Sequence, residues 1–390
     1  MVPEGWKQTR LSEICTTVTS GSRDWAQYYA DKGAAFIRMT NLRRGSIWLD
    51  LTDLKYVDIQ SDSSDGKRTS LRTGDILMSI TAELGKIGWV DNGIGEAYIN
   101  QHTALIRLKE NKSNSMFVAY LLSSQSMNSK INRLNDAGAK AGLNLPTIRS
   151  IPLTLPPVLE QKKIAEILST WDKAITTTEQ LLVSSQQQKK ALMQQLLTGK
   201  KRLLDENGVR FSGEWKYGHL SDLGKINKGK ALSSKDLLNG DYPVIAGGKS
   251  SPYNHRDFTH ENVITVSASG AYAGYVAYHP YKLWASDCSV VMSKANSDIC
   301  FIYQLMSHMQ SKIYSLQSGG AQPHVYPKDL EVLRVSIPPQ KEQQKIAAVL
   351  STTDQEISAL QQKVEALKQE KKALMQQLFT GKRRVKVEGA

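Results

Sequence analysis

Two stretches of the chain repeat an apolar residue at alternating steps of four and three. The first runs through Ile164, Leu168, Trp171, Ile175, Thr178, Leu182, Ser185, Lys189, Leu192 and Leu196. The second runs through Ile346, Leu350, Thr353, Ile357, Leu360, Val364, Leu367, Lys371, Leu374 and Leu378. A seam with a mean spacing of about 3.5 residues predicts a long helix of the coiled-coil type, which packs best against another seam of its kind. The two stretches are natural partners, although each helix could instead pack separately on a globular domain. Thr178 and Ser185 thin the first seam, and Lys189 and Lys371 put a charge on each, fixing register at some cost in stability.

Both stretches are punctuated alike. PPVLEQKKIAEILSTWDKAI at 156 aligns without gaps on PPQKEQQKIAAVLSTTDQEI at 338, and KKALMQQLLTGK at 189 on KKALMQQLFTGK at 371, an offset of 182 in each case (338 − 156 = 371 − 189 = 182). No Gly or Pro interrupts either copy between the proline pair and TGK, so each offers about 41 residues of helix, near 60 Å at ~1.5 Å per residue. Pro157 and Pro339 suit a first helical turn, Glu160 and Glu342 sit where the macrodipole favours an anion, and Gly199 and Gly381 suit C-terminal caps. Reach decides orientation. Parallel helices would oblige residues 203–337 to carry the chain back about 60 Å, whereas a compact domain of that length has a radius of gyration of about 14 Å. Antiparallel packing, with a pseudo-twofold relation, is expected. Its interface comprises Ile164, Leu168, Trp171, Ile175, Leu182, Leu192 and Leu196 with Ile346, Leu350, Ile357, Leu360, Val364, Leu367, Leu374 and Leu378.

The remaining segments read differently. They open alike, GWKQTRLSEI at 5 and EWKYGHLSDL at 214, an offset of 209 (214 − 5 = 209), and close alike, Gly138-Ala139 matching Gly320-Ala321 at the helix offset. Between these landmarks the sequences diverge. Short β-rich runs (AAFIRM, GDILMSI, TALIRL; YPVIAGG, NVITVSA, SVVMS) alternate with Gly, Ser and Asn turns and with helical runs such as SMFVAYLLSSQS and DICFIYQLMSHMQ. The fold class is therefore α+β: two globular domains, 1–155 and 203–337, separated by a central long helix in 156–202, with a second long helix and basic tail in 338–390.

A chain of 390 residues also exceeds what one core usually serves. No run of 18 apolar residues could span a bilayer, and MVPEGWKQTR lacks the apolar stretch of a signal peptide, so a cytoplasmic protein with no membrane partner is expected. Cys15, Cys288 and Cys300 form no CxxC pair, which fits reduced thiols. Fifty basic against 37 acidic residues give a net charge of +13, a footprint that favours a polyanion. Several predicted turns combine cations, amides and aromatics. Arg and Lys can bond guanine edges, Asn and Gln adenine edges, and any cation a phosphate, so the candidate DNA contacts are Arg38, Asn41, Arg43, Arg44, Lys67, Arg68, Thr81 and Lys86 in the first domain. Lys228, Lys230, Lys249, Tyr253, Asn254, His255, Tyr272 and His324 are the candidates in the second. For any single cation a solvated surface role stays open, and the glycine-rich stretches can equally be turns needing positive φ.

Catalytic motifs are missing. LLTGKKR has Gln194 where a phosphate loop needs its first glycine, and its lysine ends a helix instead of opening one. There is no HExxH, no GxSxG, no histidine pair at metal-ligand spacing and no [DN]PP[YFW] stretch. The expectation is a binding protein with no catalytic residues, no metal and no cofactor of its own.

The doubled PPxxEQxxIAxxL, each copy leading to KKALMQQLxTGK, and the order domain, helix, domain, helix resemble the specificity (S) subunit of type I restriction-modification enzymes over essentially the whole chain. The stretches GAAFIRMTNLRRGSIWL and TGDILMSITAELGKIGWV, and GDYPVIAGGKSSPYNH, SASGAYAGYV and WASDCSV, resemble two flavours of target recognition domain. The resemblance implies a non-catalytic subunit that reads a bipartite, asymmetric sequence in double-stranded DNA across a non-specific gap. Two methyltransferase (M) subunits would carry S-adenosylmethionine and methylate adenine, and endonuclease (R) subunits using ATP and Mg could join them. Two other classes stay open on the residues alone: a scaffold whose heads bind protein, and a self-sufficient nuclease with carboxylates on unrelated loops.

Overall fold

A computed structural model describes residues 2–21, 25–59, 63–134, 142–249, 251, 253–320 and 322–386. Gly138, Ala139 and Ala321 of the closing repeat, and Ser61, Asp62, Ser250 and Pro252 of the turn stretches, lie outside the described residues. The chain divides into two compact units, Met1–Thr176 with Glu365–Ala390, and Thr177–Val364. Each unit therefore holds one globular segment together with one end of each long helix.

The long helices span Val158–Leu196 and Gln340–Phe379. Both stop at a glycine in the left-handed region, Gly199 at φ 72° and Gly381 at φ 68°, so the TGK ending is a helix cap and not a phosphate loop. A methyl group at Gly199 would lie in ordinary contact with the ring of Trp215, and one at Gly381 would touch Trp6 and collide with Pro3. The tryptophan of each opening repeat thus closes over the glycine of a helix end. The strand that follows each tryptophan, Lys7–Arg10 or Lys216–His219, pairs antiparallel with the strand leading into the proline pair, Pro152–Leu155 or Arg334–Ile337.

Within the first unit the helix ends are fixed by buried charge. Glu160 accepts two hydrogen bonds from the Arg384 guanidinium, at 2.7 and 2.8 Å. Further along, Asp172 accepts from Lys371 at 2.5 Å, from the Tyr120 hydroxyl at 2.5 Å and from the Trp48 indole at 3.1 Å. As the acid advances from 160 to 172 its partner recedes from 384 to 371, so the helices run antiparallel. The second unit repeats this with the helices exchanging roles. Arg202 clamps Glu342 at 2.5 and 2.6 Å beside the Trp215 indole, and Lys189 reaches Asp354 at 2.5 Å beside the Gln304 amide. Each group stands 182 positions from its counterpart: Glu160 and Glu342, Asp172 and Asp354, Lys189 and Lys371, Arg202 and Arg384. Gln161 and Gln343 are equivalent too. Each accepts from the backbone amide of the residue that caps a domain helix, Asn114 before Ser115–Ser123 or Asp298 before Ile299–His308, and donates to the Pro156 or Pro338 carbonyl. Glu160 and Glu342 are thus more than dipole anions, and both seam lysines are paired.

Apolar burial follows the seam. Ile164, Leu168, Ile175, Leu196, Ile346, Leu350, Val364 and Leu378 are buried, while Trp171, Leu182, Leu192, Ile357, Leu360, Leu367 and Leu374 are half-buried. In the first unit Ile164, Leu168 and Leu378 join a core with Ile76, Ile106 and Phe117, and Phe379 meets Phe117 edge-on at 5.6 Å. In the second, Leu196, Leu197, Ile346 and Leu350 join Ile264, Val291 and Phe301. Each helix end packs on its domain as well as beside its partner helix. The single difference within the dodecapeptide, Leu197 against Phe379, is a difference between these two cores.

The divergent middles share one topology. Antiparallel strands β1 (Cys15–Ser20), β2 (Ile76–Ser79), β3 (Ile87–Trp89) and β4 (Thr103–Leu108) lie in the order β1-β4-β2-β3. In the second unit β5 (Gly224–Lys228), β6 (Val263–Ser267), β7 (Val276–His279) and β8 (Cys288–Ser293) lie in the order β5-β8-β6-β7, which is the same arrangement. Beside each is a smaller mixed sheet with one parallel pair, Ala34–Ile37 with Ala97–Ile99, or Tyr242–Ile245 with Trp284–Ala285. Among the described residues no helix is long and apolar enough to cross a membrane.

Removing one partner of a buried ion pair strands the other charge. Asp172 and Lys371 expose 13% and 7% of their side chains, against 39% and 16% for Asp354 and Lys189. Asp172→Ala is therefore expected to cost about 3–5 kcal/mol in chemical denaturation, with much of the loss recovered when Lys371 is also replaced by Met. Asp354→Ala should cost clearly less, and equal losses would contradict the assignment of Asp172–Lys371 as the buried pair.

Candidate nucleic-acid interface

Strand register brings part of the candidate set, the turns carrying Thr81 and Lys86 in the first unit and Lys228 and Tyr272 in the second, to one end of each main sheet, while Arg38 and Asn254 follow or form strands of the smaller sheets. In the first unit Ser20 opposes Ala104, Ser79 opposes Thr103 and Met78 opposes Ile87, so the ends of β1 and β2 and the starts of β3 and β4 coincide. In the second, Lys228 opposes Ser289, Ser267 opposes Cys288 and Val266 opposes Val276, which defines the same end. The turns there are built alike. Gly21 donates to the Thr103 carbonyl and Gly229 to the Cys288 carbonyl, and a Cβ on either would collide with backbone carbonyls, at Ile99 and Asn100 or at Ala285 and Ser286. Only glycine allows that approach. The Ile80 amide donates to His102 and the Ala268 amide to Asp287, at 3.0 and 3.2 Å; Leu143 and Val325 in turn donate to Ile80 and Ala268, both at 3.0 Å.

In the first unit most candidate cations are held by acids. Arg38 pairs with Asp53 at 2.9 Å, Arg43 with Asp50 at 2.5 Å and Lys86 with Glu83 at 2.5 Å. Hydrogen bonds from Thr52, then Arg43, bring the Asp50 carboxyl down to about 2, and Arg38 and Lys86 lower those of Asp53 and Glu83. These acids stay ionised and fix the direction of each cation. Arg44 donates to Asn128 at 2.8 Å and Arg68 to the Ser20 carbonyl at 3.0 Å. Lys67 is exposed, and the Thr81 hydroxyl lies 2.8 Å from His102 Nδ1 and near the sulfur of Met39. Thr81, Lys86 and Arg68 thereby lie at the sheet end, while Arg38 is held on Asp53 beside the smaller sheet.

In the second unit Lys228, Lys230 and Lys249 are exposed at the equivalent end. Lys230 lies over Trp284 at 5.2 Å, and Lys249 between Tyr272 and Tyr275, 5.3 Å from each ring. His324 bridges to Ser269 and stacks on Tyr326 at 6.0 Å. Tyr253 and Asn254 are exposed. Burial pushes the Cys288 thiol up to about 12 and drives His279 down to about 4, so both are neutral groups of the core.

Two candidates belong inside the fold. Asn41, 2% exposed, caps its own turn through the Arg38 amide and donates to the Asp50 carbonyl at 2.7 Å. His255, 3% exposed, packs on Trp284 and accepts from the Asp257 amide at 2.9 Å. Their side chains complete loops instead of facing outward. Conversely, His102 and Asp287 sit at the sheet end without having been singled out. The partnership of Thr81 with His102 spans 21 residues of divergent sequence, and periodicity carries no trace of it.

The family model described as the type I restriction modification DNA specificity domain matches residues 3–184 and 212–369. The chain belongs to that family. A putative type I restriction enzyme MjaX specificity subunit of Methanocaldococcus jannaschii is 28% identical over 423 residues, covering 99% of this chain and 95% of the relative. The type I restriction enzyme EcoBI specificity subunit of Escherichia coli is 28% identical over 168 residues, or 42% of this chain and 34% of that protein. The crystal structure of a type I restriction-modification S subunit from M. genitalium aligns over 97% of this chain and 96% of its own, with a TM-score of 0.68 and 15% identity; at that identity it supports the fold. For this specificity-family chain, then, each matched segment contains one sheet end of the kind described above. Among the described residues no group of three or more His, Cys, Asp and Glu side chains is placed to hold a metal ion.

The close approach at each sheet end is testable. Gly229→Ala is expected to destabilise the second unit by about 1–3 kcal/mol, as overpacking against backbone does. Gly320→Ala, whose added methyl meets nothing within 4 Å, should stay within about 0.5 kcal/mol. Denaturant melts compare the two, and equal effects would remove the steric argument.

Proposed function

We propose that this chain is the DNA-reading subunit of a type I restriction-modification complex, that it has no catalytic residues, and that it recognises an asymmetric target in two separated parts. The observation that carries the reading is the recurrence of one sheet end twice, on one repeated helix frame, with different side chains at its tip. The first domain, residues 1–155, would present Arg38, Arg43, Arg44, Lys67, Arg68, Thr81 and Lys86 to one half-site. The second, residues 203–337, would present Lys228, Lys230, Lys249, Tyr253, Asn254, Tyr272 and His324 to the other. Cations supply phosphate grip and guanine contacts, while asparagine and hydroxyl groups supply adenine and mixed contacts. The net charge of +13 supports a duplex as partner.

The long helices would act as spacer and dock. Their ends are pinned in register by ion pairs, so the unread gap would follow from helix geometry, as half-site spacing follows from dimer geometry in other DNA-binding proteins. Two methyltransferase subunits, carrying S-adenosylmethionine, would bind along them, and an endonuclease subunit using ATP and Mg would complete a restricting assembly in the cytoplasm.

The test is an exchange of domains. Residues 1–155 are replaced by the corresponding segment of another member of the family, and adenine methylation by the assembled complex is mapped. One half of the recognised sequence should change and the other stay as it was. A change in both halves, or in neither, would contradict the proposal. A companion salt titration on random duplex should show affinity falling steeply, since each phosphate contact releases counterions; a salt-independent interaction would favour a protein-binding scaffold.

A further inference from the structure

The two sheet ends share the backbone contacts that build their turns and carry different side chains, and one of these differences falls where each turn holds a hydroxyl against a polar partner. In the first unit the Thr81 hydroxyl is hydrogen-bonded to His102; in the second the Ser269 hydroxyl is hydrogen-bonded to a carboxylate oxygen of Asp287. The equivalence is fixed by main chain. His102 and Asp287 each precede the first residue of the strand (Thr103 of β4, Cys288 of β8), and each accepts at its carbonyl from the residue preceding the hydroxyl, Ile80 or Ala268. Where structure alone sets the residue, this molecule repeats it, as with Glu160 and Glu342 or Asp172 and Asp354. Here the hydroxyl is kept while its partner changes from an imidazole to a carboxylate. Both partners are partly exposed. Gly247 packs close to the Asp287 carboxylate, and two residues further along the chain Lys249 rests on Tyr272 and Tyr275.

We infer that His102 and Asp287 are the positions at which the two units read different bases, an assignment that rests on the DNA-reading function proposed above. A carboxylate accepts only. Beside phosphates it is repelled unless it meets a donor, which in the major groove is the amino group of cytosine N4 or adenine N6. Bases that present only acceptors there, guanine at N7 and O6 or thymine at O4, would be rejected. An imidazole can donate once its Nε2 exchanges the Gln101 amide nitrogen, 3.1 Å away, for a base, so His102 suits those acceptors. Thr81 and Ser269 are positioning residues: each holds one side of the reading group, and on His102 the other ring nitrogen, Nε2, lies 3.1 Å from the Gln101 amide nitrogen, a contact that a base would replace. Among the described residues, the second carboxylate oxygen of Asp287 has no hydrogen-bond partner.

The experiment uses the full chain assembled with its methyltransferase subunits, with sequences selected by binding from a randomised duplex library. Wild type is compared with Asp287→Asn, Asp287→His and His102→Asp. Asp287→His should alter the preferred base at one position of one half-site, and His102→Asp one position of the other half-site only. Asp287→Asn should weaken discrimination at its position about tenfold or more. The base selected by wild type at that position separates cytosine from adenine as the amino donor. Unchanged preferences, or changes in both half-sites from one substitution, would overturn the assignment. If a variant loses its cooperative melt, Ser269→Ala and Thr81→Val, which remove only the hydroxyl contact, decide instead: broadened preference at the same positions supports the assignment and unchanged preference overturns it. A wild-type complex that selects no sequence would sink the DNA-reading function itself, whereas normal wild-type selection with indifferent variants sinks only this inference.

Discussion

The structure depends on carboxylates taken out of water and matched with cations at the ends of two antiparallel helices. A buried glutamate is tolerated only where a guanidinium or its equivalent meets it with good geometry, and Glu160 with Arg384 and Glu342 with Arg202 satisfy that bidentately. Such pairs add little net stability against an apolar replacement, but they penalise any slip of one helix along the other, since a shift by one turn would leave four charges unmatched. An apolar seam alone is more forgiving. Register is what the proposed spacer role requires, and the ion pairs sit where the helices are fixed against each other within each unit. The aspartate–lysine pairs then tie that register to the domains, because Asp172 is also bonded by Trp48 and Tyr120, and Asp354 by Gln304.

The sequence repeats were visible because helical spacing and caps are local. Seam, proline pair and terminal glycine lie within a few residues of their partners in the pattern, so the helices, their ends and their antiparallel sense could be read directly. The sheets were legible only as isolated strands. Their order depends on pairings such as Cys15 with Leu108 and Lys228 with Ser289, which join residues far apart along a chain whose side chains have diverged. That the two middles are one topology became evident only from register. The candidate contacts show the same limit. Arg38, Arg43 and Lys86 were recognisable as cations, but not the acids that aim them; Asn41 and His255 looked like presented groups and serve as internal caps. His102 and Asp287 carried no signal at all, because their meaning lies in occupying the same place in two folds.

Two constraints of opposite kind thus share one chain. The helix frame must be the same at both ends, so its groups recur at an offset of 182 down to the identity of the ion pairs. The sheet ends must differ if an asymmetric target is to be read, so they keep the backbone contacts that build the turns and vary the side chains those turns present. On the proposed function, a repeated frame with unlike tips lets one polypeptide carry two different readers.

The most direct test of this account is a genome-wide comparison of adenine methylation in cells with and without the gene, in the presence of its methyltransferase partner. The account predicts one gene-dependent motif with two specified blocks of different sequence, separated by a fixed number of unspecified base pairs. A single uninterrupted block, two identical blocks, or no gene-dependent methylation would contradict it.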